Sequence, residues 1–287
     1  MMFNKFTIFN SNHVSKYIFE SDDVCVESVL YQYQDRTVIC ISTMCGCPVG
    51  CKMCGTGKHF IRNLTSSEIV EQVTTILESN KPRSRFQIMF MSMGEPFLNY
   101  NNVKKSIIKL HDLYPTAELL ISTIAPYRML DNWQDFITLS TKIPQIGLQF
   151  SMHAMNDNDR NKIIPYRMKV DIGTIIHKAL DFHKYTNRPA FFNFIINQDN
   201  KVTLCHEIYT ALVNGGEDKI YLTFSVECPM DNTNYQPFNY SIFDYVQREL
   251  DMFNTRMFNP EGQDDIGAGC GQLWYVQEWM KNRTMVI

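Results

Sequence analysis

The feature that most limits the possible folds is a regular alternation of apolar, β-rich runs with amphipathic stretches. The β-rich runs are Val24 to Gln34, Thr37 to Ser42, Gln87 to Ser92, Glu118 to Thr123, Ile146 to His153, Ala190 to Asn197 and Lys219 to Val226. The helix-like stretches are Ser66 to Ser79, Asn101 to Leu113, Asn132 to Leu139, Ile172 to His183, Val202 to Val213 and Tyr240 to Phe253. Buried strands separated by helices indicate βαβ units and a parallel sheet.

This alternation predicts an α/β fold, specifically an incomplete (β/α)6 TIM-type barrel with an N-terminal β-hairpin. The polar pair Asp35-Arg36 can turn the first run back on the second and form that hairpin. Thr65 followed by Glu68 predicts a capping box at the start of the first helix. In barrels of this kind the chemistry lies at the carboxyl ends of the strands.

Composition and charge exclude few functions. The 287 residues carry a net charge of -3, unlike the strongly basic domains that coat nucleic acid. Residues 1–12 alternate polar and apolar and lack the apolar core of a signal peptide. No run approaches the ~18 apolar residues of a membrane span. We therefore expect a cytoplasmic protein that does not bind membranes.

Three of the nine cysteines form a C-x3-C-x2-C motif, Cys47-Pro-Val-Gly-Cys51-Lys-Met-Cys54. Three thiolates on a short loop can hold three irons of a cubane cluster and leave the fourth iron open. The alternatives are a zinc site or buried structural thiols. Zinc usually takes four protein ligands, and no fourth Cys or His follows at zinc-finger spacing.

The motif resembles that of the radical S-adenosylmethionine (SAM) superfamily, and Gly94-Glu95-Pro96 resembles its glycine-glutamate motif. The resemblance implies a [4Fe-4S] cluster held by Cys47, Cys51 and Cys54. It also implies SAM bound to the open iron and cleaved to a 5′-deoxyadenosyl radical. A flavodoxin- or ferredoxin-type reductant is the expected electron donor.

Cys40, seven residues before Cys47, and Cys270 in Asp265-Ile-Gly-Ala-Gly-Cys270-Gly-Gln-Leu273 narrow the resemblance to the RlmN and Cfr RNA methylases. It spans about Glu27 to Leu273 and includes further segments: Val26-Glu27-Ser28-Val29, Arg62-Asn63-Leu64-Thr65, Asn99, Ser122-Thr123 and Ser151-Met152-His153-Ala154. It implies methylation of adenine at C2 or C8 in ribosomal or transfer RNA.

The resemblance also implies roles for individual residues. Cys270 would carry the methyl group, Cys40 would resolve the covalent adduct, and Glu27 would accept the ring proton. The residues implied to line the cofactor site are Gly94, Glu95, Ser122, Ser151, Met152 and His153. Structural alternatives are a small buried hydrophobe for Cys40, a solvated surface acid at a strand edge for Glu27, and a core histidine for His153.

Three departures from the family concern its contacts with RNA and with the cofactor. About 26 residues precede Glu27, so we expect no N-terminal helical RNA-binding domain of the family's type. Val226 stands where the family has a cofactor-contacting asparagine, and Asn259-Pro260-Glu261-Gly262 replaces a basic Arg-Gly, which would weaken RNA binding. Candidate replacement cations, or ordinary surface charges, are Lys52, Lys58, His59, Arg62, Arg160, Lys162, Arg167 and Lys169.

We accordingly expect residues 1–36 to form an N-terminal β extension. Residues 37–287 would form the partial barrel with its C-terminal catalytic-cysteine segment. Two other functions remain open: the same chemistry on a nucleotide, small molecule or protein, and a non-catalytic iron-sulfur protein. The sequence does not indicate an oligomeric state.

Overall fold

The computed structural model describes residues 3–21, 24–228, 239–259, 266–269 and 272. These residues divide into two compact units. The first unit contains the described residues up to Ile121, together with residues 228, 266–269 and 272. The second unit runs from Ser122 to Glu227 and includes residues 239–259.

The first unit is built on a sheet whose strand order is β1-β2-β3-β4-β7-β8. The first four strands pair antiparallel, and β4, β7 and β8 pair parallel. A separate two-stranded sheet is formed by β5 and β6. The elements are β1 (Lys5–Ser11), β2 (Val14–Glu20), β3 (Cys25–Gln32), β4 (Arg36–Cys40), β5 (Met44–Gly46), β6 (Phe60–Asn63), α1 (Ser66–Ser79), β7 (Arg85–Phe90), α2 (Tyr100–Leu113) and β8 (Glu118–Thr123).

The second unit is built on the parallel strands β9, β10, β11 and β12, in that order. Its elements are α3 (Tyr127–Lys142), β9 (Ile146–Ser151), α4 (Asp157–Ile163), α5 (Ile172–Thr186), β10 (Ala190–Ile196), α6 (Lys201–Leu212), β11 (Ile220–Val226), α7 (Ser241–Glu249) and β12 (Thr255–Phe258). No helix among the described residues is both long and apolar enough to cross a membrane.

Helix α1 illustrates why these residues form these elements. The Thr65 side chain accepts a hydrogen bond from the Glu68 backbone N–H, and the Glu68 carboxylate accepts one from the Thr65 backbone N–H. The predicted capping box is therefore present. Ile69, Val73 and Ile76 recur at helical spacing and are fully buried, so one apolar face fixes the helix against the core.

The predicted α/β class and its parallel strands are confirmed, and the hairpin around Asp35-Arg36 is present as β3 and β4. The predicted helix from Tyr240 to Phe253 is wrong at its end. It stops at Glu249, and Thr255–Phe258 form an additional parallel strand, β12, beside β11. Pairing with β11 satisfies the backbone of this short segment, which a sequence pattern of four residues does not reveal.

Candidate active site

The loop from Cys47 to Cys54 lies between β5 and β6. The Cys47 backbone N–H donates to the His59 carbonyl at 2.8 Å, which fixes the start of the loop against the residue before β6. Gly46 has a φ of 75°, and a Cβ there would lie 2.0 Å from the His59 carbonyl oxygen. The sequence thus needs glycine at this close approach, directly before the first thiol of the motif.

The thiols of this loop are partly buried and electrostatically coupled. Burial raises the pKa of Cys47 well above its ordinary value, and nearby Cys54, Cys51 and Glu95 add to the rise. Burial likewise raises the pKa of Cys54, with a smaller contribution from the Glu27 carboxylate. Three thiolates can be held here only if a cation offsets this cost, and the irons of a cluster supply that charge.

Among the residues that the structure describes, no three His, Cys, Asp or Glu side chains are grouped to hold a single metal ion. A cubane cluster sets a different requirement from a single zinc ion, because each of the three thiolates binds a separate iron. The three motif thiols lie on one short loop, from Cys47 to Cys54.

Gly94 and Glu95 follow β7 in the same unit. Gly94 has a φ of 106°, and a Cβ there would lie 2.6 Å from Thr43 Oγ1, so only glycine fits. Glu95 is 3% exposed, and its Oε1 accepts a hydrogen bond from the Phe97 backbone N–H at 3.1 Å. The glutamate is therefore held in a fixed orientation, close enough to Cys47 to affect the pKa of that thiol.

Strands β2, β3 and β4 bring two predicted catalytic residues onto one face of the sheet. Val29 lies opposite Lys16 on one side and opposite Cys40 on the other. Residues directly opposite one another on antiparallel strands point to the same face, as do residues two apart on one strand. Glu27 and Tyr31, each two residues from Val29, therefore share this face with Cys40 and Lys16.

Glu27 is fully buried on β3, an interior strand that lies between β2 and β4, and is not a solvated surface acid at a strand edge. Its Oε2 lies 2.5 Å from the Nζ of Lys16, and both side chains have no solvent-accessible surface. Burial lowers the pKa of Lys16 from its ordinary value, and the Glu27 carboxylate opposes that shift. An ion pair satisfies two charges that would be costly to bury singly.

The described part of the C-terminal segment docks on this same face. Lys16 Nζ donates to the Gly267 carbonyl at 2.9 Å, and the Tyr31 hydroxyl donates to the Ala268 carbonyl at 2.8 Å. The Gln272 side-chain oxygen accepts a hydrogen bond from the Gly269 N–H at 2.7 Å. Cys270 itself lies outside the described residues.

In the second unit, Ser122 and Ser151 lie at the carboxyl ends of β8 and β9. Their hydroxyl oxygens are 3.4 Å apart, and Gln149 Nε2 donates to the Ser122 oxygen at 3.2 Å. The backbone N–H of Met152 donates to the Asn193 carbonyl at 2.9 Å. Ser122 lies near the end of its strand, where the sequence predicted it, and His153 lies two residues beyond the end of β9.

His153 has a left-handed backbone with a φ of 60°. Its Nδ1 accepts a hydrogen bond from the Ile195 backbone N–H at 3.2 Å, which fixes the ring. Burial, assisted by the nearby Arg160 charge, lowers the pKa of His153 to about 3. The imidazole is therefore neutral at physiological pH and carries its proton on Nε2, where it can donate.

Two proposed surface cations are structural. Arg160 is 1% exposed and donates to the carbonyls of Ile124, Ser151 and Val170, so it braces the strand ends from within. Lys169 is 8% exposed and donates to Asn161 Oδ1 at 2.5 Å. Both are wrong as candidates for RNA contacts, because their donors are used inside the second unit.

Sequence reasoning missed Lys16 and the pair Asn193 and Ser225. A lysine in a strand-forming run is ordinarily a surface residue, and only the strand register shows that Lys16 is buried beside Glu27. Asn193 Oδ1 accepts a hydrogen bond from Ser225 Oγ at 2.9 Å, and both side chains are buried. Ser225 of this pair lies one residue before Val226, the position where the resemblance to the family predicts an asparagine.

Residues 41–188 match the family model of the Radical SAM superfamily. A probable dual-specificity RNA methyltransferase RlmN of Fervidobacterium nodosum is 32% identical over 264 residues, covering 88% of this chain and 73% of that protein. A protein of the same description from Pseudothermotoga lettingae is 32% identical over 269 residues, covering 90% of this chain and 75% of that protein.

A solved structure gives an independent comparison. The radical SAM methyltransferase from Sphaerobacter thermophilus superposes with a TM-score of 0.74 and 25% sequence identity. The match covers 93% of this chain and 81% of that protein. The likeness therefore extends far beyond the cysteine motif.

Proposed function

Because the chain belongs to the radical SAM superfamily and, within it, to the RlmN family, we propose that it methylates an adenine carbon, C2 or C8, in ribosomal or transfer RNA. It is a radical SAM methyltransferase, and its cofactors are a [4Fe-4S] cluster and SAM. The adenine position and the use of a methylated cysteine are our proposal.

One observation carries this proposal. Glu27 and Cys40 share a single face of the sheet, and the backbone two to three residues before Cys270 is hydrogen-bonded to side chains on that face. These are the base, the resolving thiol and the segment of the methyl carrier that the mechanism needs. A non-catalytic iron-sulfur protein would have no use for this combination.

When bound, the cluster and SAM supply an electron, a methyl group and a hydrogen-abstracting adenosyl radical. Cys270 accepts the methyl group on its sulfur and, after loss of one hydrogen atom, joins that carbon to the adenine ring. Glu27 accepts the proton from the ring carbon as a buried carboxylate. Cys40 then attacks the Cys270 sulfur as a thiolate and forms a disulfide with it, which breaks the bond between that sulfur and the methylene carbon. The freed carbon takes up one proton to become the methyl group of the product, and the one electron left over would be accepted by the cluster.

The proposed cofactor contacts follow the geometry within each unit. In the first unit, Cys47, Cys51 and Cys54 bind the cluster, and Gly94 with Glu95 takes the amino group of SAM. In the second unit, Ser122, Ser151, Met152 and His153 offer hydroxyl, backbone and imidazole groups of the kind that bind SAM. A flavodoxin- or ferredoxin-type protein is the proposed electron donor.

RNA as the substrate is supported by the family. The net charge of -3 does not favour RNA binding, and two of the candidate cations, Arg160 and Lys169, are buried. Lys52, His59 and Arg167 remain exposed. Such a chain suits an exposed RNA loop whose bases are already unstacked, because single-stranded bases can be recognised without a large basic surface.

The test is to purify the Cys40→Ala variant from cells and to identify by mass spectrometry what is attached to Cys270. Without its resolving thiol, the enzyme should remain covalently bound to its substrate. After nuclease digestion we expect an RNA fragment attached to Cys270 through a modified adenine, and the sequence of that fragment would identify the target RNA.

The matched control is Cys40→Ala combined with Cys270→Ala, which should carry nothing, and Cys205→Ala controls for the loss of a buried thiol elsewhere. A small molecule or peptide on Cys270 would overturn RNA as the substrate. A Cys270 that bears no methyl group, in wild-type protein supplied with cluster, SAM and reductant, would overturn the mechanism.

A further inference from the structure

We propose that Lys16 is a positioning residue that sets the location of the Cys270 segment relative to Glu27. The inference rests on the proposed function and deepens it. No step of the mechanism above assigns a role to Lys16, yet its ammonium contacts both parts of the site: Oε2 of Glu27 at 2.5 Å and the carbonyl of Gly267 at 2.9 Å.

The burial of Lys16 indicates that these contacts are specific. The side chain has no solvent-accessible surface, and lysine is almost never fully buried unless it is paired. A strand that needed only apolar packing at this position would be more stable with a leucine or methionine of similar volume. The ion pair and the carbonyl contact are therefore the features that account for a lysine here.

Tyr31 provides an internal comparison. Its hydroxyl donates to the Ala268 carbonyl at 2.8 Å, so it holds the same segment by a neutral hydrogen bond. Lys16 differs because one of its hydrogen-bonding partners is a carboxylate. Through Lys16, the position of the Gly267 carbonyl is tied to the position of the Glu27 carboxylate.

Gly267 is a suitable point for such control. It has a φ of 61°, which glycine adopts readily, and lies three residues before Cys270. Gln272, which follows Cys270 in the sequence, accepts a hydrogen bond from the Gly269 N–H through its side-chain oxygen. Fixing the Gly267 carbonyl therefore restricts the path of the chain into Cys270, and transfer of a methyl group requires a well-defined position for that sulfur.

The test compares Glu27→Gln with the double variant Lys16→Met/Glu27→Gln, in which no unpaired carboxylate remains buried. Full-length proteins are loaded with cluster, supplied with SAM and reductant, and analysed for the S-methyl group on Cys270 without any RNA. Because Glu27→Gln retains the Lys16 contact to Gly267, we expect at least ten-fold less S-methyl Cys270 in the double variant. Tyr31→Phe should show a smaller decrease.

Three further measurements separate positioning from misfolding. Iron content should stay close between the single and double variants, and the double variant should melt no lower than the single one, because it leaves no buried charge unpaired. Hydrogen exchange should rise in the peptide that covers residues 266–272 and not in β2 or β3. Equal S-methyl Cys270 in the two variants, with wild-type protein methylated, would overturn the role of Lys16 alone. An unmethylated wild-type protein would instead overturn the proposed function.

Discussion

In the first unit, the proposed catalytic side chains lie along the face of neighbouring strands and are held by a buried ion pair, Lys16 with Glu27. In the second unit, the proposed SAM-binding residues lie at the ends of strands and are held by neutral hydrogen bonds, such as Ser122 with Ser151 and Ser225 with Asn193. Its buried cation, Arg160, donates to backbone carbonyls.

The difference concerns what happens when one partner is removed. A buried charge that loses its counter-charge retains its full desolvation cost, whereas a neutral group that loses a hydrogen bond retains a much smaller one. The proposed catalytic face, which carries Lys16, Glu27 and Cys40, should therefore tolerate substitution poorly. The strand ends of the second unit should tolerate it better.

The largest effect is expected from Lys16→Met, which leaves the Glu27 carboxylate buried without its ammonium. We expect the free energy of unfolding to fall by about 3–5 kcal/mol, measured by urea denaturation. The matched control is Lys162→Met in the second unit, where the pair with Asp159 is largely exposed and screened by solvent, so its loss should change the unfolding free energy little. Similar losses in the two variants would remove the contrast.

A smaller effect, visible only in acid, is expected from His153→Asn. The folded-state pKa of His153 is about 3, below its ordinary value of 6.5, so the unfolded chain binds the extra proton. Stability from this group is complete above pH 6.5 and is lost as the pH falls towards 3, by at most about 1.4 kcal/mol per pH unit.

Asparagine tolerates the left-handed backbone at this position, so His153→Asn should keep the fold and show a flatter decline of the urea midpoint below pH 6.5. An unchanged slope in His153→Asn would mean that another group titrates.

The smallest effect is expected from Ser225→Ala, which removes the donor to Asn193 Oδ1 without stranding a charge. We expect a loss of about 1 kcal/mol in unfolding free energy. Ser241→Ala, at an exposed serine in α7, should lie within experimental error of the wild type. A loss as large as that of Lys16→Met would show that the neutral pairs of the second unit are as critical as the ion pair.

The periodic elements were predictable because the spacing of apolar residues along the sequence marks their buried faces. The predicted and observed bounds of α1 and β8 coincide at Ser66–Ser79 and Glu118–Thr123. The short elements were not predictable. β5, β6 and β12 have only three or four residues each, and strand pairing, rather than local pattern, determines them.

The residues of the candidate site also divide into those that local sequence predicts and those that only the assembled sheet determines. The cysteine motif and Gly94 are recognisable because the spacing of ligands and the positive φ at glycine are local properties. Glu27 was recognisable only by resemblance, and its burial depended on Lys16, whose register against β3 is a property of the assembled sheet. Arg160 was misassigned because its carbonyl partners lie on segments distant in sequence.

The contact between Lys16 and Gly267 joins residues 251 positions apart. At a translation rate of roughly 5–20 residues per second, the ribosome adds the later partner on the order of ten to fifty seconds after the earlier one. Throughout that interval Lys16 and Glu27 lack the segment that covers them, while the cluster loop is already synthesised. Completion of this face is therefore a late event in the biogenesis of the enzyme, and Cys270, the proposed methyl carrier, is synthesised after the proposed cluster ligands.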